Sequence, residues 1–120
     1  LTLAPQSEFA GAAVALLTSD RMLNDERVDS EGTRTAAAKA LARCGPAAAT
    51  ALPQLVQRLA DPLPATRVAA AEAVLRVGGS ESEKAAADKV LSEALGSGDP
   101  GVRAQAVRAV ADAGRAGLVP

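Results

Sequence analysis

Apolar residues recur along this chain at i, i+3, i+4 and i+7, the spacing that collects side chains on one face of an α-helix. Ala10, Ala13, Val14 and Leu17 follow it within residues 7–18, with Ser7 placed as an N-cap. Ala37, Ala40, Leu41 and Cys44 follow it in 33–44, and Leu52, Leu55, Val56 and Leu59 in 47–60. Ala70, Ala73, Val74 and Val77 repeat it in 65–77. A fifth helix, capped by Ser80 or Ser82 and ending near Leu95, carries Ala87, Val90, Leu91, Ala94 and Leu95. A sixth, 101–113, carries Ala106, Ala109, Val110 and Ala113. Glycine and proline punctuate these segments at Gly45-Pro46, Asp61-Pro62-Leu63-Pro64, Gly78-Gly79, 96–100 and Gly114. Pro53 falls inside a helical pattern. It either bends that helix or lies in its first turn, with 47–50 a separate turn.

The helices repeat. R-V-A-A-A-E-A-V-L-R-V-G at 67–78 recurs upstream as R-T-A-A-A-K-A-L-A-R-C-G at 34–45 and downstream as R-A-Q-A-V-R-A-V-A-D-A-G at 103–114. The arginines Arg34, Arg67 and Arg103 are 33 and then 36 residues apart. Aligned on them, the third following position reads Ala37, Ala70, Ala106, and the sixth reads Ala40, Ala73, Ala109. The seventh reads Leu41, Val74, Val110, and the eleventh is glycine each time. Leu59 and Leu95 each stand eight residues before their arginine. Alanine matches are cheap in an alanine-rich chain, but the Arg-to-Gly spacing, the leucine and the proline-containing turn are not products of composition. A period of this size implies stacked supersecondary units rather than one closed core.

The stretches 59–78, L-A-D-P-L-P-A-T-R-V-A-A-A-E-A-V-L-R-V-G, and 95–114, L-G-S-G-D-P-G-V-R-A-Q-A-V-R-A-V-A-D-A-G, resemble HEAT repeats of the bacterial HEAT-like type. L-P-Q-L-V-Q-R-L, 52–59, is similar to the first helix of that repeat, with its proline at Pro53. The resemblance spans most of 6–114 as repeats of about 6–45, 46–79 and 80–114, weakest in the first. It implies an all-α fold: an α-α superhelix, or solenoid, of about three antiparallel helix pairs forming a single domain. It also implies that the helix beginning at each arginine lines a concave face. In the family, a turn aspartate and a second-helix arginine make a hydrogen-bonded ladder between repeats. That role carries over to Asp61 with Arg67. The equivalent turn position is Ser97 in the third repeat, with Asp99 two residues on, and Val28 in the first, with Asp29 beside it, so an irregular ladder is expected. Arg34, Arg67, Arg103 and Asp61 are accordingly assigned to structure, since a guanidinium can hold a carboxylate bidentately.

Composition narrows the function. Hydrophobic residues make up 48%, but alanine supplies much of that; there is one Phe, Phe9, and no Trp or Tyr. The core is expected to be thin and built from close helix contacts. With 13 basic and 14 acidic residues the net charge is −1, which lacks the basic excess of a nucleic-acid binder. The DNA-repair glycosylases among HEAT-like folds use basic and aromatic surfaces that have no counterpart here. The chain contains no histidine, so histidine triads and histidine metal sites are excluded. Cys44 sits on an apolar stripe without an activating base and reads as a core thiol, not a nucleophile. The acidic stretch 19–32, with Asp20, Asp25, Glu26, Asp29 and Glu31, does not have the spacing of a calcium loop. It reads as a solvated connector, with Met22, Leu23 and Val28 tucked against its neighbours. No phosphate loop, zinc spacing or nucleophile elbow appears, so no cofactor or metal and no enzymatic activity are expected.

No run is long and apolar enough to span a membrane, and no leader-like stretch is visible, which makes the cytoplasm the default expectation. The start at Leu1 and the helix-like opening at Leu118-Val119-Pro120 suggest a piece of a longer protein, with open solenoid ends available for contacts. The residues expected to bind a partner are polar positions of the arginine-led helices. Lys39, Glu72 and Arg108 stand five residues after each arginine, and Arg43, Arg76 and Asp112 nine after. Glu72–Arg76 and Arg108–Asp112 are also i, i+4 pairs, so mutual pairing on a solvated face is the plainer reading. The expected function is a non-enzymatic scaffold that binds a protein through its concave face. The alternative is a non-catalytic appendage of a larger bacterial enzyme, such as a hydrolase or lyase.

Overall fold

The computed structural model describes residues 30–118. The helix expected at 7–18, Phe9, and the connector up to Asp29 lie outside the described residues, as do Val119 and Pro120. Every described element is a helix. In order they are α1 (Ser30–Cys44), a 3-10 segment (Gly45–Ala51), α2 (Leu52–Arg58), α3 (Pro64–Val77), α4 (Glu81–Leu95), α5 (Pro100–Asp112) and a 3-10 turn (Ala116–Leu118). The arginine-led helices lie side by side, with α3 between α1 and α5, while α2 and α4 pack against them from one layer out. This is the arrangement of a HEAT-type helical solenoid.

Two boundaries differ from the sequence pattern. Helix α1 begins at Ser30 rather than Thr33, so its first turn takes in residues that read as connector. The segment after it is not one long helix. A 3-10 stretch kinked at Ala48 (φ −96°, ψ 18°) precedes α2, and Pro53 sits in the first turn of α2. Of the two readings of Pro53, the first-turn one holds. A proline there lacks only an N–H that no intrahelical acceptor would take.

The starts and stops of the helices have local causes. The glycine that ends each repeat has positive φ: Gly45 (61°), Gly78 (108°) and Gly114 (72°). This left-handed geometry turns the chain out of the helix, and a β-carbon disfavours it. Helix α4 is opened by a capping box: Ser80 Oγ accepts from the Glu83 N–H, and the Glu83 carboxylate accepts from the Ser80 N–H at 2.8 Å. Asp99 opens α5, its Oδ1 accepting from Gly101 N–H at 2.8 Å, with Pro100 at the first helical position.

The core is mostly alanine. Leu41, Leu55, Leu91, Val74 and Val110 are fully buried, and Ala37, Ala38, Ala42, Ala70, Ala73, Ala87, Ala106 and Ala109 fill the space between them. Each buried leucine contributes about 1.5–3 kcal/mol. The alanines contribute less apiece but let helix axes approach. Helix α3 is buried on more than one side: besides its stripe, Thr66, Val68, Ala69 and Ala71 are inaccessible. A single apolar stripe under-describes a helix with neighbours on both flanks and a second layer behind it. Cys44 is only half-buried, packed against the edge of the core as a free thiol.

Candidate functional site at the joints between repeats

The two described joints between neighbouring repeats use the same sequence positions with different chemistry. At the first joint, between α1 and α3, Arg34 Nε donates to Asp61 Oδ2 at 2.8 Å and Nη2 donates to Oδ1 at 3.1 Å. Both side chains are buried, at 4% and 0% exposure. Asp61 also accepts from Arg58 Nη1 at 3.3 Å and from Leu63 N–H at 2.9 Å. Its carboxylate is therefore held from α1, from the end of α2 and from its own turn. Beside this pair the hydroxyls of Thr35 and Thr66 share a hydrogen bond of 3.0 Å across the same joint, both buried.

The family resemblance pairs Asp61 with Arg67, and the structure corrects this. The aspartate turns back to the arginine of the preceding repeat. Arg67 instead donates through Nη1 to two backbone carbonyls of its own turn, Asp61 O at 2.8 Å and Pro62 O at 3.1 Å. Arg103 repeats that bond one unit later, Nη1 donating to Ser97 O at 2.7 Å. The physical reason is orientation. Asp61 meets both arginines, but its carboxylate is held toward Arg34, with Leu63 N–H and Arg58 also donating to it, and Arg67 is left the backbone carbonyl.

At the second joint, between α3 and α5, the position of Asp61 is taken by Ser97. Its Oγ accepts from Asp99 N–H at 3.1 Å, as the Asp61 carboxylate accepts from Leu63 N–H, so the local turn is preserved. What a serine cannot supply is a carboxylate reaching across to Arg67. The positions of Thr35 and Thr66 are taken by Val68 and Val102. A cavity of about 360 Å³ lies here, lined by Leu59, Pro64, Arg67, Val68, Val90, Glu93, Ala94, Ser97 and Val102. All four residues equivalent to the polar set of the first joint line it. Among the described residues a polar bridge crosses this joint outside the cavity lining, Gln105 Nε2 donating to Ala65 O at 2.9 Å.

The polar residues expected to meet a partner fall into two groups. Glu72 and Arg76 form an ion pair, Nη1 to Oε2 at 2.9 Å, on half-buried side chains. Lys39, Arg43, Arg108 and Asp112 are exposed. None of these four makes an ion pair among the described residues, so of the two possible i, i+4 pairs only Glu72–Arg76 forms. Sequence reasoning did not single out Thr35, Thr66, Arg58 or Gln105. The periodic pattern describes how a helix meets the layer behind it, and these residues act sideways, between repeats. Among the described residues there is no cluster that could hold a metal ion, and no helix is long and apolar enough to cross a membrane.

Comparison with known proteins agrees with the fold. Neither the curated proteins nor the solved structures contain a significant match to the chain. A family model described as HEAT repeats matches residues 20–111. That span holds all five described α-helices but for the last residue of α5, the first two arginine-to-glycine units with most of the third, and the Arg34–Asp61 rung that locks neighbouring repeats, and the chain belongs to the HEAT-repeat family.

Proposed function

We propose that this chain is a non-enzymatic interaction module whose arginine-led helices present a concave polar strip to a protein partner. HEAT repeats are in general protein-interaction and scaffold modules, typically without catalysis of their own. The observation that supports the strip is that Lys39 and Arg43 on α1, and Arg108 and Asp112 on α5, are exposed at matching positions of the two helices that flank α3, with no ion pair among the described residues. Lys39 and Arg43 are moreover like charges at i, i+4, which costs an isolated helix a few tenths of a kcal/mol, roughly 0.2–0.5. The fold gains nothing from that pair, whereas an acidic partner would. Glu72 and Arg76 already neutralise each other and contribute a rigid, hydrogen-bonded centre to the strip.

A photo-crosslinking residue placed at position 39 or 108 tests this. The same label at Lys89, exposed on α4 in the other layer, is the control. The expected result is capture of the same protein from 39 and 108 but not from 89, with capture from 108 lost in the Lys39→Glu, Arg43→Glu double variant. Equal capture from both layers, or capture indifferent to charge reversal, overturns the assignment.

A further inference from the structure

We infer that the cavity between α3 and α5 is a binding site for a small aliphatic monocarboxylate, held by Arg67 where the first joint holds the Asp61 side chain. The two arginines use different edges of the guanidinium. Arg34 grips the Asp61 carboxylate through its Nε and Nη2 edge, the bidentate geometry that suits a planar carboxylate. Arg67 spends only Nη1, on the two carbonyls of its own turn. Its Nε and Nη2 edge has no acceptor among the described residues. The anchoring by Nη1 fixes the guanidinium in place, so the free edge is pre-organised rather than waving in solvent.

The second joint also has the space. The carboxylate missing from the second joint would come from position 97, and Ser97 and Arg67 line the same cavity. Ser97 Oγ accepts a hydrogen bond from Asp99 N–H, which leaves its proton to donate. A ligand carboxylate placed there meets an arginine edge and a hydroxyl donor. The rest of the wall suits a short hydrocarbon stem: Leu59 and Ala94 are buried, and Val68, Val90 and Val102 complete the apolar lining. A cavity of about 360 Å³ is at the small end of ligand pockets, which run roughly 300–1,000 Å³. Glu93 lines it too and is exposed. It disfavours a second carboxylate, so the site selects monocarboxylates over dicarboxylates.

The test is titration of the 120-residue chain with sodium butyrate, against sodium chloride at equal ionic strength, following the Arg67 side-chain Nε–H by NMR. A saturable shift of that resonance, with no equal effect from butylamine, is expected. Succinate is expected to bind less tightly than butyrate in the parent chain and to gain in Glu93→Gln. Ser97→Asp supplies the carboxylate internally. It is expected to raise the melting temperature and to weaken butyrate binding at least about tenfold, the scale of one charge-assisted contact. Arg67→Gln is expected to lose binding. Should that variant fail to fold, Ser97→Asp still decides, because it adds a contact instead of removing one. An unmoved Arg67 resonance, or butyrate binding unchanged in Ser97→Asp, overturns the site. A blocked peptide, acetyl-Ala-Glu-Ala-amide, binding more tightly than butyrate overturns the free-acid assignment and gives the cavity to a partner's acidic side chain.

Discussion

Arg34 and Asp61 are 27 residues apart in sequence and form a buried, two-bond ion pair that ties one repeat to the next. A buried pair need not exceed an apolar contact in net stability, but removing one partner strands the other charge and costs about 3–5 kcal/mol. Asp61→Asn keeps the shape and can keep the acceptor for Leu63 N–H, yet it removes the charge and turns a donor toward Arg34. For a domain of this size the melting temperature should fall by on the order of 10–20 °C. Thermal unfolding followed by circular dichroism measures it. A fall of only a degree or two would mean the pair is far more hydrated than its burial indicates.

The threonine pair beside it should behave differently. Thr35→Val or Thr66→Val alone leaves one buried hydroxyl without its partner, a loss of about 1–3 kcal/mol. The double variant removes both polar groups and places two valines face to face. The second joint already has valines there, Val68 and Val102. The double variant should therefore sit near the parent, and a double-mutant cycle in urea should return a coupling of about 1 kcal/mol or more. Additive single losses would rule out the shared hydrogen bond.

The glycines that end α3 separate backbone strain from crowding. At Gly78 (φ +108°) an added β-carbon has no heavy atom within 4 Å to meet, so Gly78→Ala costs only backbone strain, about 1–2 kcal/mol. Asparagine tolerates left-handed geometry better, and Gly78→Asn should lose less than Gly78→Ala. At the neighbouring Gly79 the β-carbon would come within 3.0 Å of Val74 Cγ1 and 3.1 Å of Glu83 Cβ. Gly79→Ala thus presses on the residue that completes the capping box of α4, and its loss should shrink when Ser80→Ala has already broken that box. Equal losses in both backgrounds would leave crowding at Val74 as the whole cause.

These joints also show where the sequence was readable. Helical period, the arginine-to-glycine spacing and the proline-containing turns carry the fold, because each acts within a few residues of itself: a stripe, a left-handed stop, a first-turn proline. The same spacing identified which arginines are equivalent. It could not show which arginine Asp61 meets, since the choice between Arg34 and Arg67 depends on how one turn overlies the preceding helix. Nor could it show the cavity, whose wall carries three lateral replacements: Ser97 for the aspartate, Val68 and Val102 for the threonines. The exposure of Lys39, Arg43, Arg108 and Asp112 was legible from their place off the apolar stripe, but the pairing of Glu72 with Arg76 and the absence of pairing between Arg108 and Asp112 among the described residues depend on rotamers that spacing does not fix.

The three equivalent arginines should therefore not respond alike to removal. Arg34→Ala leaves Asp61 as a buried carboxylate with only Arg58 Nη1, at 3.3 Å, as a cationic partner, and should cost about 3–5 kcal/mol. Arg67→Ala frees two carbonyls on a half-exposed turn that water can reach, and strands no buried charge. Its cost should be about 1–2 kcal/mol. Arg103→Ala removes one bond from an exposed side chain to Ser97 O, and should stay within about 0.5 kcal/mol of the parent. Urea unfolding of the three variants gives the order directly. If Arg67→Ala is as damaging as Arg34→Ala, then Arg67 is bearing a load between repeats that its bonds to its own turn do not explain, and its Nε and Nη2 edge is not free for a ligand. If the graded order holds, a repeated arginine serves as a joint only where the next turn offers it a carboxylate, and where it does not, the same side chain is left available to a ligand.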